Sequence, residues 1–404
     1  DEALERLVSA AKAYRAARPL PHESLPLLAA QGRILANDVI APINVPPARN
    51  SAMDGYAFRL ADVISSSPLR VSQRIPAGTV PTPLEPGTVA RIFTGAVIPD
   101  GADTVEMQEN CDEKEGHVTF LQPPRLGAHI RAAGEDITRG SKVLNAGTRL
   151  GPAHLGLLAS LGLPEVNVVA PVKVALLCTG DELVNPGTEL KPGQLYNSNA
   201  TLLTALLKQQ GCDVLHLPSV ADTVADTEQA FRHAISVGAD LVVTTGGVSV
   251  GEEDHVRTAV QRLGQLALWK VAIKPGKPIA LGEIDGVPVI GLPGNPQSVW
   301  VTYQVLALPF IRCLQGDITL PVMIRVPAGF ERTQPQGRRE FLRVQIGVDD
   351  QGFQQLLAHP QQGSGVLSSA TWAHSRAWRD GCSPTASRGS PPSSAWCGRG
   401  SRRR

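Results

Sequence analysis

The spacing of hydrophobic residues changes twice along the chain and separates three kinds of structure. Over residues 2–17, Leu4, Leu7, Val8 and Ala11 recur at helical intervals and predict an amphipathic helix. A second helix is expected over 23–32. From 58 to 135, short β-rich runs such as LRVSQRI, TVARIF and HVTFL alternate with Gly and Pro turns. This alternation is typical of a compact β-rich domain.

Strands and helices alternate from Lys173 onward. The runs KVALLCTG, DVLHLPSV and DLVVTTGG predict strands, and LLTALLKQQG and DTEQAFRHAISV predict helices. Such alternation favours a doubly wound α/β domain with a parallel sheet, whose ligands bind at the carboxyl ends of the strands. After Pro321, the runs MIRVPAGF and EFLRVQIGV predict β-structure again. The chain is therefore predicted to be a multidomain α/β protein.

These changes of pattern predict the domain boundaries. We expect a composite helical and strand domain over 1–45 and 140–172, a β-rich domain over 46–139, an α/β domain over 173–318 and an incomplete C-terminal β domain over 319–372. Residues 373–404 form an atypical tail: from His374 on, the chain has seven Arg and seven Ser and none of Leu, Ile, Val, Met, Phe or Tyr. Such a segment cannot bury a core and is expected to be disordered. The abrupt change near Trp372 favours a non-native tail over a basic arm that binds nucleic acid.

The charge balance and the cysteines exclude several classes of function. With 38 basic and 37 acidic residues, nothing calls for a nucleic-acid or membrane partner, and no apolar stretch reaches the length of a membrane helix. The six cysteines have no zinc-site spacing and favour a reducing compartment. A cytoplasmic protein fits these observations.

The strongest local signal is TTGGVSVGEEDH, Thr244–His255. A strand leads into Gly246 and Gly247, whose backbone N–H groups can converge on an anion, and Ser249 adds a hydroxyl donor. Carboxylates follow at once, among them Asp254. An anion cradle beside carboxylates suits metal-assisted phosphoryl or nucleotidyl chemistry. A Gly-Gly turn after a strand also occurs for purely structural reasons.

Two further strand ends carry acids. CTGDEL places Thr179, Asp181 and Glu182 after the first strand of the α/β domain, and SVADT places Asp222 after the next. Carboxylates at these positions can hold Mg²⁺ or orient water. Asp181 and Asp222 could equally be helix N-caps.

Lysines and prolines follow in KVAIKPGKP and GLPGNPQS. Lys270, Lys274 and Lys277 suit a polyanionic ligand, although a lysine run is more often a solvated face. Pro293 and Pro296 make a rigid turn that opens a helix. Alone, such a turn is weak support for a binding site.

The first half holds three polar segments of lower specificity: NSAMDGYA with Asp54, FTGAVIP with Thr94, and IRAAGEDI with Asp136. Asp54 is either a ligand or a turn residue. Arg131, Glu135 and Asp136 could be no more than a surface ion pair, which contributes little by itself.

Taken in order, NSAMDGYA, FTGAVIP, GED, TGDEL, TTGGVSVGEED, IKPGKP and GLPGNPQS closely resemble the MoeA family of molybdopterin molybdenumtransferases, which is related to the carboxy-terminal domain of gephyrin. The resemblance runs from about residue 2 to about residue 369. It implies a β-rich second domain, a molybdopterin-binding α/β third domain and a β-barrel-like fourth domain. It also implies a homodimer whose active-site cleft lies between the third domain of one subunit and the second domain of the other.

The activity that the resemblance implies is Mg²⁺-dependent insertion of molybdenum from molybdate into adenylylated molybdopterin, with release of AMP. Transient contact with the molybdopterin adenylyltransferase that supplies the substrate is expected. Glu182 matches the family's catalytic acid, and Asp222 and Asp254 match acids of the same pocket that would bind metal with it. Asp54 matches a further catalytic acid. The expected substrate-binding residues are Thr94, Asp136, Thr179, Gly246, Gly247, Ser249, Lys274, Lys277, Pro293, Pro296, Arg343 and Ser364.

Three other interpretations stay open. A molybdopterin adenylyltransferase shares the α/β domain and a TTGG turn, but the 170 residues upstream argue against it. A non-catalytic scaffold resembling gephyrin is disfavoured by the intact acids. A protein that binds a nucleotide or anion without turnover can be distinguished from an enzyme only by an assay. The chain departs from the family after SSATWA, where the closing strands of the fourth domain are missing.

Overall fold

The computed structural model describes residues 2–63, 67–217, 220, 222–247, 255–317, 324–331 and 337–363, with no side-chain description for 268–270. The chain splits into two compact units. The first unit combines Asp1–Ala17, Val172–Ile311 and Pro321–Arg404, and the second combines Arg18–Pro171 with Arg312–Leu320. Among the described residues, no helix has the length and apolarity needed to cross a membrane.

The first unit begins with helix α1, Glu2–Ala17. Its buried residues, Leu7 and Ala11, lie on the face that the hydrophobic spacing marks, and the helix packs against a π-helical turn at Tyr303–Ala307. Glu2 and Glu5 in the first turn and Arg15 in the last complement the helix dipole. The predicted amphipathic helix is therefore confirmed.

The second unit opens with a strand where a helix is predicted. Strand β1, His22–Pro26, is followed by a 3₁₀ turn at Leu27–Ala30, so the helix expected over 23–32 is wrong. The strand pairs antiparallel with Glu165–Val169 over its whole length. Hydrogen bonds to a segment about 140 residues away outweigh the local helical pattern. A pairing over that distance cannot be predicted from the local sequence.

The β-rich insert is confirmed as a six-stranded sheet. Two short strands precede it, β2 (Val39–Ile40) and β3 (Asn50–Ser51). The sheet contains β4 (Gly55–Phe58), β5 (Leu69–Ile75), β6 (Thr88–Ile92), β7 (Thr104–Met107), β8 (Cys111–Lys114) and β9 (His117–Phe120), in the order β7-β4-β6-β5-β9-β8. One face buries a cluster around Ile75, Ile92 and Val105, and the other buries Phe58 and Val118. This sheet holds the polar segments that carry Asp54 and Thr94.

A small mixed region completes the second unit. It contains β10 (Ile130–Arg131), β11 (Lys142–Leu144), α2 (Pro152–Ser160) and β12 (Glu165–Val169). Strand β10 pairs with β3, and β11 pairs with β2. Leu35, Leu150, Leu158 and Val168 form the core of this region.

The first unit continues as the predicted doubly wound α/β fold. Its elements are β13 (Lys173–Cys178), β14 (Leu183–Val184), β15 (Leu195–Tyr196), α3 (Ser198–Gln209), β16 (Asp213–His216), α4 (Val224–Ser236), β17 (Leu241–Thr245), α5 (His255–Leu263), β18 (Gly264–Lys270), β19 (Ile273–Lys274), β20 (Pro278–Ile284), β21 (Val287–Leu292), α6 (Pro296–Thr302) and α7 (Leu308–Gln315). The sheet order is β16-β13-β17-β21-β20-β18. The first four strands are parallel, and β20 runs antiparallel to both of its neighbours, β21 and β18.

Helices cover both faces of this sheet. Helices α4 and α5 contact each other and bury a cluster that includes Ala175, Leu177, Val242 and Phe231. Helix α3 packs on β13 and contacts α6. Alternate residues of a strand point to opposite faces, so a single strand can contact helices on both sides of the sheet. With both faces covered, the open edge for ligands is the carboxyl end of the parallel strands.

The C-terminal part is a small β structure. It contains β22 (Arg339–Glu340), β23 (Val344–Val348) and β24 (Gln354–Ala358). Strands β23 and β24 form a hairpin over Leu342 and Leu356, which confirms the strand predicted in EFLRVQIGV. The strand predicted in MIRVPAGF is wrong for Ile324–Phe330, which has only an isolated bridge from Ala328 to Leu356. The tail that sequence predicts to be disordered lies outside the described residues.

Gly55 in β4 tests the close packing of the β-rich sheet. A Cβ at this position would collide with the backbone carbonyl of Glu106 on β7. We predict that Gly55→Ala lowers the free energy of unfolding by about 3 kcal/mol, measured by urea denaturation followed by circular dichroism. The matched control is Gly156→Ala in α2, where a Cβ meets nothing within 4 Å and helix propensity improves. Equal stability of the two variants would contradict the packing described.

Candidate active site

Three parallel strands end side by side and bring their polar loops together. Strands β13, β17 and β21 are neighbours in register, with Cys178 opposite Thr245 and Thr245 opposite Leu292. Beyond these residues, Thr179 N–H donates to Thr245 O at 3.1 Å, and Gly246 N–H donates to Leu292 O at 3.3 Å. The three loops therefore leave the sheet with their backbones in direct contact.

Gly246 and Gly247 occupy the centre of this convergence and have φ values of 92° and 61°. A Cβ at Gly246 would lie 2.5 Å from Thr179 O and 2.8 Å from Thr179 Oγ1, and one at Gly247 would lie 2.8 Å from Val256 Cγ2. Both the backbone conformation and the close approach require glycine. The structure thus supports the predicted glycine turn. Ser249 and Asp254, predicted to follow it, lie outside the described residues.

Thr179 supplies an unsatisfied polar atom beside this turn. Its side chain is buried, and Oγ1 has no hydrogen-bond partner among the residues that the structure describes. A buried hydroxyl left without a partner costs about 1–3 kcal/mol, so such a group marks the position of a ligand or an ordered water. This observation agrees with the substrate-binding role predicted for Thr179.

The acids of the first loop and of the Asp222 segment come together. Asp222 N–H donates to Asp181 Oδ1 at 3.1 Å. The Glu182 carboxylate folds back over Gly180, because a Cβ at Gly180 would lie only 2.7 Å from Glu182 Oε2. The N-cap of α4 is Thr223, whose hydroxyl accepts from Asp226 N–H. Asp222 is therefore not the N-cap of α4, and its backbone is bonded to the first loop.

The metal triad predicted from Glu182, Asp222 and Asp254 is only partly described. Within the described ranges, no group of three or more His, Cys, Asp and Glu side chains is placed to hold a metal ion. Asp254 falls in the gap 248–254. Glu182 itself is exposed at the strand edge.

Asn199 is a site residue whose partners cannot be predicted from sequence. It is buried in the first turn of α3, and its Nδ2 donates to Thr245 Oγ1 at 3.0 Å and to Gly294 O at 2.7 Å. Thr245 Oγ1 in turn donates to Pro293 O at 2.8 Å. This network fixes the loop that holds Pro293 and Pro296 against the end of β17. The neighbouring Asn197 is the N-cap of α3, and its side chain also hydrogen-bonds to the Cys178 thiol.

The lysine turn adjoins the same loop through α6. A Cβ at Gly276 would collide with the Thr302 side chain, so this turn rests on the helix that begins at Pro296. Lys274 Nζ lies 3.2 Å from Glu340 Oε1, whose side chain is only 9% exposed, whereas Lys277 is exposed. Sequence reasoning missed Glu340, because it reaches Lys274 only through the pairing of β19 with β22. The side chain of Lys270 is not described.

Arg343 follows β22 closely in the chain, and its side chain is buried. Its Nη2 donates to Gly363 O at 2.8 Å, and its N–H donates to Gln362 Oε1 at 3.0 Å. Burial lowers the pKa of the guanidinium. Ser364, its predicted companion, lies outside the described residues.

The second unit carries the other predicted residues. Asp54 Oδ1 accepts hydrogen bonds from Thr94 N–H and Thr94 Oγ1, both at 2.7 Å. These two bonds, aided by the positive charge of Arg91, lower the pKa of Asp54. Asp136 is exposed, and its N–H donates to Val45 O at 3.0 Å. The surface ion pair considered for Glu135 does not form in the described structure: its carboxylate accepts from Ala132 N–H at 2.8 Å.

Three family models match consecutive parts of the chain. The MoeA N-terminal region (domain I and II) matches residues 1–162, the probable molybdopterin binding domain matches 175–313, and the MoeA C-terminal region (domain IV) matches 325–374.

Relatives match over most of their length. The molybdopterin molybdenumtransferase of Haemophilus influenzae is 42% identical over 354 residues, which cover 87% of each chain. Molybdopterin molybdenumtransferase 2 of Mycobacterium tuberculosis is 39% identical and is matched over 83% of this chain and 85% of its own. The crystal structure of the molybdopterin biosynthesis MoeA protein from Pyrococcus horikoshii OT3 superposes with a TM-score of 0.76, at 27% identity and 92% coverage of each chain.

The Asp54–Thr94 pair predicts a measurable pH dependence. Because hydrogen bonding lowers the pKa of Asp54 in the folded state, its contribution to stability is present above the unfolded pKa of about 3.9 and disappears as pH falls through the folded pKa. Thr94→Val removes one donor and should raise the Asp54 pKa toward the unfolded value, as measured by NMR titration of labelled carboxyl carbons. Thr138→Val, a substitution at an exposed turn, is the control and should leave the Asp54 titration unchanged. An unchanged Asp54 pKa in Thr94→Val would show that the contact is absent in solution.

Proposed function

We propose, from the premise that this chain belongs to the MoeA family, that it inserts molybdenum from molybdate into adenylylated molybdopterin and releases AMP. Its place among molybdopterin molybdenumtransferases makes it an enzyme of molybdenum cofactor biosynthesis. The observation that carries the proposed reaction is the convergence of three strand-end loops on a glycine pair, with an unpartnered Thr179 hydroxyl and two acids beside it.

The anion-binding groups suit this substrate. Adenylylated molybdopterin carries phosphates, and molybdate is a dianion. We assign the phosphate contacts to Thr179 Oγ1, to the backbone of Gly246 and Gly247, and to Ser249. We assign the remaining anionic oxygens, including those of molybdate, to Lys274, Lys277, Arg343 and Ser364. Lys274 is held in position without a ligand by its ion pair with the buried Glu340 carboxylate. The rigid loop at Pro293 and Pro296 shapes the wall of the site.

The acids provide the reactive face. The loop that carries Glu182 is bonded to the backbone of Asp222 through Asp181. The carboxylate oxygens of Glu182 and Asp222 are of the hard type that Mg²⁺ prefers. Together with Asp254 they would hold Mg²⁺, which when bound neutralises charge on the pyrophosphate oxygens. The protein's own part is to hold the pyrophosphate and molybdate close and aligned. The two dithiolene thiols then replace an oxygen of molybdate, which leaves as water, and water cleaves the P–O–P bond to release AMP.

We further propose that the enzyme is a homodimer with composite sites, in which Asp54, Thr94 and Asp136 are supplied by the other subunit. Transient contact with the adenylyltransferase would deliver the adenylylated substrate without dilution. The dithiolene of the product needs a reducing compartment, which places the enzyme in the cytoplasm.

Release of AMP from adenylylated molybdopterin tests the reaction directly. We expect release to depend on both micromolar molybdate and Mg²⁺, and Glu182→Gln to remain folded and slow it by about 100-fold or more. Glu189→Gln, an exposed neighbour on the same segment, should keep the wild-type rate. Wild-type release by Glu182→Gln would remove Glu182 from the reaction, and binding without any release by the wild-type protein would refute the transferase proposal.

Mixing two inactive variants tests the composite site. Glu182→Gln and Asp54→Asn are each expected to lose activity, because every site then lacks one group. If Asp54 acts on the other subunit's site, random exchange of subunits gives hybrid dimers with one intact site and restores about a quarter of the wild-type activity. No recovery after verified subunit exchange would mean that both residues act within one subunit. Mixing Glu182→Gln with Asp222→Asn is the control and should restore nothing.

A further inference from the structure

Two arginines and an aromatic ring form a cluster in the β-rich sheet. The function proposed above gives these residues no role. Arg74 on β5 lies in register with Arg91 on the neighbouring strand β6. The Arg74 guanidinium carbon is 4.6 Å from the centroid of the Phe93 ring, and that of Arg91 is 4.9 Å from the same centroid. We call Arg74, Arg91 and Phe93 the dibasic cluster.

Arg91 is held in place rather than free to rotate. Its Nη1 donates to Gly55 O at 3.2 Å, its Nη2 donates to Gln108 Oε1, and its guanidinium carbon also lies 5.0 Å from the Tyr56 ring centroid. These bonds use only two of its five N–H donors. A fixed guanidinium with free donors is preorganised for a ligand, because little side-chain entropy remains to be lost on binding.

The cluster lies directly beside the Asp54–Thr94 pair. Phe93 precedes Thr94 in the chain, and Gln108, which contacts Arg91, donates its backbone N–H to Asp54 O at 3.1 Å. The positive charge of the cluster is therefore built into the same loop region as the carboxylate expected to act on the substrate.

Neither of the two positive charges forms an ion pair in the described parts of the chain, although the charge of Arg91 acts on Asp54 without direct contact. Neither Arg74 nor Arg91 has a carboxylate within 4 Å there, whereas Arg70 on the same strand β5 pairs with Glu85. Like charges in register on neighbouring strands are unfavourable without a counterion. An anion bound between them would relieve this repulsion.

We propose that Arg74 and Arg91 bind the pyrophosphate group of the adenylylated substrate beside Asp54. This assignment rests on the proposed function. Phosphate oxygens match the planar fork of guanidinium donors. A nucleobase or pterin ring is a poorer match, because two guanidinium groups already contact the Phe93 ring. The substrate would therefore be held here through its charge.

Inorganic pyrophosphate is the probe, titrated calorimetrically into the full-length protein. We expect Arg74→Gln and Arg91→Gln each to weaken its binding by about ten-fold and to reduce the dependence of binding on salt. Arg70→Gln, which removes one charge from the same strand, should bind as the wild type does. Circular dichroism checks folding, and Arg91→Lys, which keeps the charge but loses the fork, should give an intermediate affinity even if Arg91→Gln is unstable.

The outcomes separate this inference from the proposed function. Three results would overturn the inference, whatever the AMP-release assay shows. The first is wild-type affinity in both Arg74→Gln and Arg91→Gln. The others are an equal loss in these two variants and in the control Arg70→Gln, or no binding of millimolar pyrophosphate by the wild-type protein. Selective losses together with a wild-type protein that releases no AMP would retain the dibasic cluster as a phosphate site and reject the transferase reaction. With an active enzyme, the same variants should raise KM for the adenylylated substrate more than they lower kcat.

Discussion

The contact between the backbones of Thr179 and Gly246 is the constraint on which the rest of the α/β site depends. A Cβ at Gly246 would lie within 2.5 Å of Thr179 O, so the ends of β13 and β17 can approach this closely only where no side chain intervenes. That approach brings the Glu182 loop beside the glycine turn and leaves the Thr179 hydroxyl buried and without a partner. Packing that would be a defect in a purely structural loop becomes a binding position, since a ligand oxygen can supply the missing hydrogen bond.

The same loops are held in place by polar contacts of long range. Asn199 joins Thr245 to the carbonyl of Gly294, and Glu340 positions Lys274 from the C-terminal part of the chain. Buried polar groups of this kind stabilise little on balance, but they favour a single geometry because every alternative leaves an unsatisfied group. The pairing of β19 with β22 therefore has a chemical consequence. It makes the orientation of Lys274, for which we propose anion binding, depend on the C-terminal segment being folded.

Sequence patterns predicted what is local and failed where distant segments decide. The spacing of apolar residues identified α1 and about half of the strands of each sheet, among them β5, β6, β13 and β17. The Gly-Gly turn and the acids after CTG marked the correct strand ends. The helix expected over 23–32 was wrong because β1 pairs with β12, and the strand expected in MIRVPAGF did not form over its described residues. The roles of Asn199 and Glu340 were not predictable, since their partners lie 46 and 66 residues away. The proximity of Asp54 to Thr94, 40 residues apart, came only from the resemblance to a family.

The distribution of charge favours the ionised form of Asp54, which the anionic substrate that we propose would disfavour. Negative charge on a nearby phosphate raises the pKa of a carboxyl group. At Asp54 the two bonds from Thr94 and the charge of Arg91 act in the opposite direction and lower its pKa. On the assignment that we propose, Arg91 has two effects in one place: it stabilises the ionised Asp54 and offers its remaining donors to the substrate's phosphates. An acid and a guanidinium that are close but not bonded to each other are suited to a reaction in which one group must hold an anion while the other stays negative.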